Sequence, residues 1–280
     1  MTRIAFFGLG TMGLPMARHL VAAGHEVVGH DLDPARVEAL HGATEGPAEV
    51  AIASLPTPEA VESVALGQIG SGITTFVDMS TGPPALARRL AEELGAAGVD
   101  SVDAPVSGGP IGAEAATLSI FVGGSEVAFS RVEPLLNALG SVVVRVGAPG
   151  TGQVVKLCNN LMAAVNMVAI AEACAVAERA GIDPKTFYEL VTSSTGDSRV
   201  LRTRFPLPGA DPAHPANRDF EPMFMVDLIV KDIALACDLA EQHGVDPGAA
   251  RAALDAYRRA QDEGLGRLDY SAVFRATAGS

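Results

Sequence analysis

Cysteine is scarce in this chain of 280 residues, which contains only Cys158, Cys174 and Cys237. Their number is odd, they lie far apart, and each has apolar neighbours typical of a helix. These features argue against a disulfide framework and against the paired spacing of a zinc site. We therefore expect a protein of a reducing compartment that holds no metal.

Positive charge is also in short supply. Lysine and arginine together number 20, against 33 aspartates and glutamates, which gives a net charge of −13 at pH 7. No local basic patch offsets this balance, and a protein of such charge repels nucleic-acid phosphates and anionic lipids. We expect neither nucleic acid nor a membrane surface as a partner.

Long uninterrupted apolar runs are missing as well. The most apolar stretch, residues 157–171, contains Asn159, Asn160 and Asn166, which is typical of a buried helix and not of a membrane span. A strand pattern begins at Arg3, almost at the initial Met, so we expect no targeting segment and a cytoplasmic protein. The hydrophobic share of 48% indicates a compact chain, and the length indicates about two domains.

Short apolar runs alternate with helix-like segments from the start of the chain to about residue 146. This alternation is typical of βαβ units and predicts an α/β domain with a doubly wound, largely parallel sheet. The predicted strands are 4–7, 27–30, 50–54, 73–78, 98–103, 118–122 and 142–146, and the predicted helices between them are 12–23, 34–40, 58–65, 84–97 and 126–139.

The pattern changes at the loop-like residues 147–152, after which the apolar period is helical. We expect a dinucleotide-type domain over 1–152 and an all-helical domain over 153–280. A helix over 153–180 would be about 42 Å long and would connect the two domains. Further helices are predicted at 184–191, 224–243 and 247–263, and the proline-rich residues 205–222 are expected to form a functional or mobile loop.

The first motif runs from Gly8 to Gly13, directly after a predicted strand and directly before a predicted helix. Its glycines allow a tight turn, close approach of a pyrophosphate, and close packing of helix on strand. Asp31 follows the second strand, where a carboxylate can bind the adenosine ribose. The alternative is a glycine-rich turn without a ligand. The pattern favours a Rossmann-type dinucleotide site formed by Gly8, Leu9, Gly10, Thr11, Met12, Gly13 and Asp31.

Asp31 favours NAD over NADP, because its carboxylate would repel a 2′-phosphate and no arginine occupies positions 32–34. Arg36 is near enough to contact a 2′-phosphate, although the favoured interpretation is a solvated residue in the first turn of a helix. The ends of the third and fourth strands are also placed to contact a dinucleotide, through Leu55, Pro56 and Thr81. Each of these could instead serve as a helix cap or turn residue.

Ser107 and the glycines that follow it come directly after another apolar run. The hydroxyl of Ser107 and the backbone N–H groups of Gly108 and Gly109 would suit a carboxylate or a developing oxyanion. An ordinary tight turn explains the same three residues.

Lys156 is the residue most suggestive of catalysis. It lies four residues before Asn160 on the predicted long helix, so both side chains share one face. Apolar neighbours would lower its pKa and suit it to general acid/base work near neutral pH. A lysine whose stem snorkels to the surface is the alternative. A second lysine, Lys231, adjoins Asp232 in an apolar helix, and the pair suits either a cleft or an exposed strip.

In their order along the chain, four segments resemble the β-hydroxyacid dehydrogenase family: residues 8–16, 103–109, 150–160 and 231–232. The resemblance implies a Rossmann domain joined to a helical domain, with the active site in the cleft. It implies Lys156 as the acid/base and Asn160 as its companion. It also implies that Ser107, Gly108, Gly109, Lys231 and Asp232 bind the substrate and that Lys231 lies near the nicotinamide.

Residues 204–209 and their proline-rich continuation resemble the branch of that family that oxidises 3-hydroxyisobutyrate. The alternative is a reductase of glyoxylate, tartronate semialdehyde or succinic semialdehyde. A non-catalytic dinucleotide-binding module is a further, less favoured alternative. Two departures from the family pattern are His19, where asparagine is common, and Ala115–Leu118, where Gly-Thr-Leu or similar is usual. We interpret both as packing changes. Apolar faces of the C-terminal helices predict a homodimer or homotetramer.

Overall fold

The computed structural model describes residues 1–40 and 46–279. The chain divides into two compact units, Met1–Lys156 and Leu157–Ser280. The boundary expected from the sequence, between residues 152 and 153, lies just before this division. Helix α7, Thr151–Arg179, begins in the first unit and continues into the second.

A single twisted sheet organises the first unit. Strands β1 to β5 are parallel, and β7 pairs antiparallel with β5 and β6 but parallel with β8. The order β2-β1-β3-β4-β5-β7-β6 reverses direction at β1, so the carboxyl ends of β1 and β3 flank a crevice. Among the described residues the strands are β1 Arg3–Phe7, β2 Glu26–His30, β3 Val50–Ala53, β4 Thr75–Asp78, β5 Asp100–Asp103, β6 Val106–Ser107, β7 Leu118–Gly123 and β8 Gly140–Gly147.

Helices cover both faces of the sheet. Successive strand residues point to opposite sides, so both faces carry apolar side chains that the helices bury. Ile4 and Phe6 of β1 enter one buried cluster, and Ala5 enters the other together with Ala51 and Phe76. Side chains cap several of these helices; Thr57, for example, accepts a hydrogen bond from the backbone of Ala60. The helices are α1 Gly13–Ala22, α2 Pro34–Glu38, α3 Pro58–Gly67, α4 Pro84–Ala96, α5 Gly109–Glu114 and α6 Glu126–Asn137.

The second unit is built from helices packed around α7. Ala164 and Met167 of α7 lie in one buried cluster with Ile229 and Tyr257. After α7, the helices are α8 Pro184–Thr192, α9 Arg199–Arg204, α10 Val226–Gln242, α11 Gly248–Asp262 and α12 Val273–Ala278, with short 3₁₀ turns at Pro215–Arg218 and Tyr270–Ala272. The predicted fold class, a doubly wound domain followed by a helical one, is confirmed.

Helix α7 is long and apolar enough to satisfy a simple test for a membrane span. Its buried side chains, including Ala164, Met167 and Ala171, pack into the core of the second unit. A helix buried in a protein core passes the same test, so the length and composition of α7 are weak evidence for a membrane span.

Several parts of the chain differ from the sequence-based predictions. The two-residue strand β6 and helix α5 occupy residues 106–114, where only a loop was expected, and neither α9 nor α12 was predicted. The proline-rich segment is packed and not free, since Phe205 and Leu207 are fully buried in the core of the second unit. Elements this short carry too few residues to show a period.

Candidate active site

The glycine loop between β1 and α1 is crowded at two of its glycines. A Cβ on Gly8 would lie 2.2 Å from the carbonyl oxygen of Ser54, and one on Gly13 would lie 1.8 Å from the carbonyl oxygen of Gly8. Gly8 also has a φ of +92°, which disfavours other residues. The protein's own backbone therefore requires glycine at these two positions.

Gly10 needs a different explanation. Its φ lies outside the left-handed region, and an added Cβ would meet only the Arg36 guanidinium, at an ordinary 3.6 Å. Nothing in the described part of the protein requires glycine here, whereas close approach of a pyrophosphate does. The loop therefore fits a dinucleotide, which the residues Gly8–Gly13 would hold at the edge where β1 ends.

Asp31 follows β2 and accepts two backbone hydrogen bonds. The N–H of Leu9 donates to Oδ2 at 2.7 Å, and the N–H of Asp33 donates to Oδ1 at 2.9 Å. Burial alone would raise the pKa of Asp31, but these bonds and the charge of Arg36, 3.6 Å away, outweigh burial and hold that pKa below its usual range. The carboxylate is thus a fixed negative charge that also pins the glycine loop.

The residues after β3 and β4 lie beside this loop. The side chain of Leu55 is close to Gly8, and the N–H of Leu55 donates to the hydroxyl of Ser80 at 2.9 Å. Pro56 is exposed and Thr81 is half-buried at the same edge of the sheet. The fold therefore brings together the predicted dinucleotide contacts of the first unit.

Gln153 is a residue of this site to which the sequence analysis gave no role. Its side chain is buried, accepts a hydrogen bond from the N–H of Gly82 at 3.0 Å and donates one to the carbonyl of Ser80 at 2.9 Å. Lys156, half-buried, lies one helical turn further along α7. In the sequence, the indication of such a role is a single glutamine between a glycine and two valines. Gln153 holds the start of α7, and with it Lys156, against the end of β4.

Asp103, at the end of β5, anchors the same helical turn. Its carboxylate accepts hydrogen bonds from the N–H of Gly150 at 2.7 Å and from the N–H of Gln153 at 2.9 Å. Burial raises the pKa of Asp103, and the backbone hydrogen bonds offset only part of that effect. The carboxylate therefore caps the first turn of α7.

Ser107 and its two glycines form more than a tight turn. Ser107 pairs with Ser119 at the end of β6, and Gly108 and Gly109 have φ values of +136° and +61° on the way into α5. Gly108 is exposed, and a Cβ on Gly109 would meet nothing within 4 Å. The two glycines thus lead from β6 into α5 through a backbone conformation that other residues rarely adopt.

In the second unit, Asn160, Lys231 and Asp232 come together. Asp232 is buried, and its Oδ2 accepts a hydrogen bond from Asn160 Nδ2 at 2.6 Å. Lys231 Nζ lies 3.1 Å from Asp232 Oδ1, and Asn159 Nδ2 donates to Asn160 Oδ1 at 3.0 Å. Asp232 is therefore a paired, buried charge that orients the amide of Asn160 and the ammonium of Lys231.

Comparison with known proteins decides the family. The family model for the NAD-binding domain of 6-phosphogluconate dehydrogenase matches residues 3–147. The model described as NAD-binding of NADP-dependent 3-hydroxyisobutyrate dehydrogenase matches residues 150–277. A probable 3-hydroxyisobutyrate dehydrogenase of Mycobacterium tuberculosis is 40% identical, over 98% of this chain and 97% of its own. The chain belongs to the β-hydroxyacid dehydrogenase family.

Further relatives agree with this membership. An NAD-dependent L-serine dehydrogenase of Pseudomonas aeruginosa is 36% identical, over 98% of this chain and 97% of its own. The solved structure of the Mycobacterium tuberculosis 3-hydroxyisobutyrate dehydrogenase with L-serine has a TM-score of 0.91 and 38% identity, and each chain is fully covered. This β-hydroxyacid dehydrogenase is thus an oxidoreductase whose cofactor is NAD, as the sequence predicts.

Proposed function

We propose that this enzyme oxidises a short 3-hydroxy acid with NAD, most simply 3-hydroxyisobutyrate to methylmalonate semialdehyde, with Lys156 as the general acid/base. The hydrogen bonds of Gln153 to Ser80 and Gly82 support the assignment of Lys156. Through them, the helical turn that precedes Lys156 is fixed at the edge of the sheet that carries the glycine loop. Ligands of doubly wound sheets bind at that edge.

The names of the relatives support this class of substrate. Relatives are named for 3-hydroxyisobutyrate, L-serine and 2-(hydroxymethyl)glutarate. All three compounds carry a primary alcohol on the carbon next to the one that bears the carboxylate, and they differ in the remaining substituent. We infer that this enzyme recognises the same alcohol–carboxylate pair.

In the proposed reaction, the alcohol loses a proton and a hydride to become an aldehyde. When bound, NAD supplies the hydride acceptor. Lys156, entering as the neutral amine, takes the hydroxyl proton as the C–H electron pair leaves the alcohol carbon. Asn160, oriented by Asp232, is the hydrogen-bonding companion of Lys156.

The carboxylate of the substrate is held by Ser107, Gly108 and Gly109, with Lys231 as a positively charged contact. The N–H groups of the two glycines and the Ser107 hydroxyl are donors of the kind that suit a carboxylate. Positioning of the alcohol against the cofactor is then the main contribution of the protein. Residues 1–152 would bind the dinucleotide, and the helical residues 153–280 would supply Asn160, Lys231 and Asp232.

A substrate panel tests the proposal. The values of kcat/KM would be measured for 3-hydroxyisobutyrate, L-serine and 2-(hydroxymethyl)glutarate with NAD and with NADP, and for glyoxylate, tartronate semialdehyde and succinic semialdehyde with NADH and NADPH. We expect 3-hydroxyisobutyrate with NAD to give the highest value. Preference for an aldehyde would favour the reductase alternative. No turnover of any compound, with NAD still bound, would favour a non-catalytic module.

We also propose a cytoplasmic homodimer or homotetramer. Met162 and Val176 of α7 are 58% and 69% exposed, and a second copy of the chain would cover such apolar side chains. Light scattering on a size-exclusion column measures the mass, and a particle of 28.7 kDa would contradict the proposal.

A further inference from the structure

His19 links two helices that follow the two candidate ligand loops. It lies in the last turn of α1, the helix after the glycine loop, and its Nε2 is 2.9 Å from the backbone carbonyl oxygen of Glu114. Glu114 is the last residue of α5, the helix after Ser107–Gly109. A carbonyl oxygen only accepts, so His19 Nε2 carries the hydrogen and donates it.

The end of α5 shows why an outside donor matters there. The N–H of Thr117 bonds the carbonyl of Gly112 at 2.9 Å, and the N–H of Ala116 bonds that of Ala113 at 3.4 Å. This pair of bonds is a Schellman motif, and Ala116 occupies its left-handed position with a φ of +52°. Glycine is usual there, so alanine strains the helix end. The carbonyl of Glu114 belongs to this strained end, and His19 satisfies it from α1.

Helix α5 depends on tertiary contacts for its position. It is six residues long, too short to be stable without tertiary contacts. Gly112 and Ala113 are buried, but Ile111 is 64% exposed and Glu114 and Ala115 are exposed. The hydrogen bond from His19 is therefore one of the contacts that fix α5, beside the burial of Gly112 and Ala113, and α5 begins at Gly109 with Gly108 directly before it.

We propose that His19 is a positioning residue. It acts through α5 to hold the Ser107–Gly109 loop at a fixed position relative to the glycine loop. The sequence by itself suggests only a packing change at His19, and the hydrogen bond to Glu114 gives this side chain a more specific role. The consequence for substrate binding rests on the proposed function, because that function places the substrate carboxylate at Ser107–Gly109.

Two matched variants test the proposal. In His19→Gln, the side-chain amide can still donate to the Glu114 carbonyl, whereas His19→Met has a similar length and no donor. Hydrogen exchange of the cofactor-free protein would be followed at residues 108–117, with residues 58–67 of α3 as the internal control. We expect exchange at 108–117 to quicken about fivefold in His19→Met and to stay near wild type in His19→Gln.

Kinetics of the same variants test the consequence for substrate. We expect His19→Met to raise KM for the hydroxy acid about fivefold, with kcat and the Kd for NAD nearly unchanged, and His19→Gln to restore KM. An unchanged KM in His19→Met, or an equal rise in KM and in Kd for NAD, would overturn the positioning role. So would equal exchange in the two variants or faster exchange spread over α3.

The outcomes separate this inference from the proposed function. If the wild-type enzyme turns over no hydroxy acid, the proposed function fails, while the exchange comparison still decides whether His19 holds α5. Should His19→Met fold poorly, His19→Ala removes the donor as well, and His19→Gln must still match the wild type for the inference to stand.

Discussion

Gln153 donates its backbone N–H to the carboxylate of Asp103 at 2.9 Å, across 50 positions of sequence. The same carboxylate accepts from Gly150, and the Gln153 side chain bonds Ser80 and Gly82. The first turn of α7 is therefore tied to the ends of both β4 and β5. Because Lys156 follows on the next turn, these bonds fix the backbone from which the proposed acid/base projects.

Replacing Asp103 by alanine should destabilise the enzyme. Two buried N–H groups would lose their acceptor, and each such loss costs about 1–3 kcal/mol, so the free energy of unfolding should fall by about 3 kcal/mol. Urea denaturation measures this. Asp100→Ala, on the same strand, removes a surface ion pair with Arg131 and should cost less than about 1 kcal/mol. Equal losses in the two variants would contradict the capping role.

Lys156→Ala should lower kcat by orders of magnitude and leave NAD affinity nearly unchanged, because only the proton acceptor is lost. Steady-state kinetics and a titration of the cofactor measure the two effects. The control is Lys185→Ala, which removes an exposed lysine paired with Glu189 on α8 and should leave kcat at the wild-type value. A Lys156→Ala enzyme that kept most of its turnover would rule out the assignment.

Asp31 should make stability depend on pH. Its pKa is lowered in the folded protein, so its ionised form stabilises the fold above the unfolded pKa of about 3.9, and this contribution is lost as pH falls through the folded pKa. The difference in unfolding free energy between wild type and Asp31→Asn should therefore be full at pH 7 and shrink below about pH 4. Urea denaturation at both pH values measures this difference. A difference that grew on acidification would contradict the predicted pH dependence.

Ala116→Gly should stabilise the protein by about 0.5–1 kcal/mol. Relief of the left-handed strain, about 1–2 kcal/mol, exceeds the extra entropy that glycine brings to the unfolded chain. Ala115→Gly is the matched control, since Ala115 has a φ of −89° and should lose up to about 1 kcal/mol on the same change. Loss of stability in both variants would show that the strain at Ala116 is relieved in another way.

The departure at Ala115–Leu118 shows what the structure adds to the sequence. The sequence suggests a packing change there, and the structure adds that Ala116 has a φ of +52°, in the left-handed region. The motif around Lys156 is a second case, because the residue pattern gave Gln153 no role and only its partners at Ser80 and Gly82 reveal one.

Local patterns in the sequence determined the two-part fold, the positions of the main strands and longer helices, the glycine loop and the choice of NAD. These follow from hydrophobic period and from backbone geometry, which act between residues close together in the chain. The tertiary structure alone decided the short elements β6, α5, α9 and α12 and the pairings Gln153–Asp103, Asn160–Asp232 and His19–Glu114. Those pairings join residues 50 to 95 positions apart, and only the folded chain brings their donors and acceptors within hydrogen-bond distance.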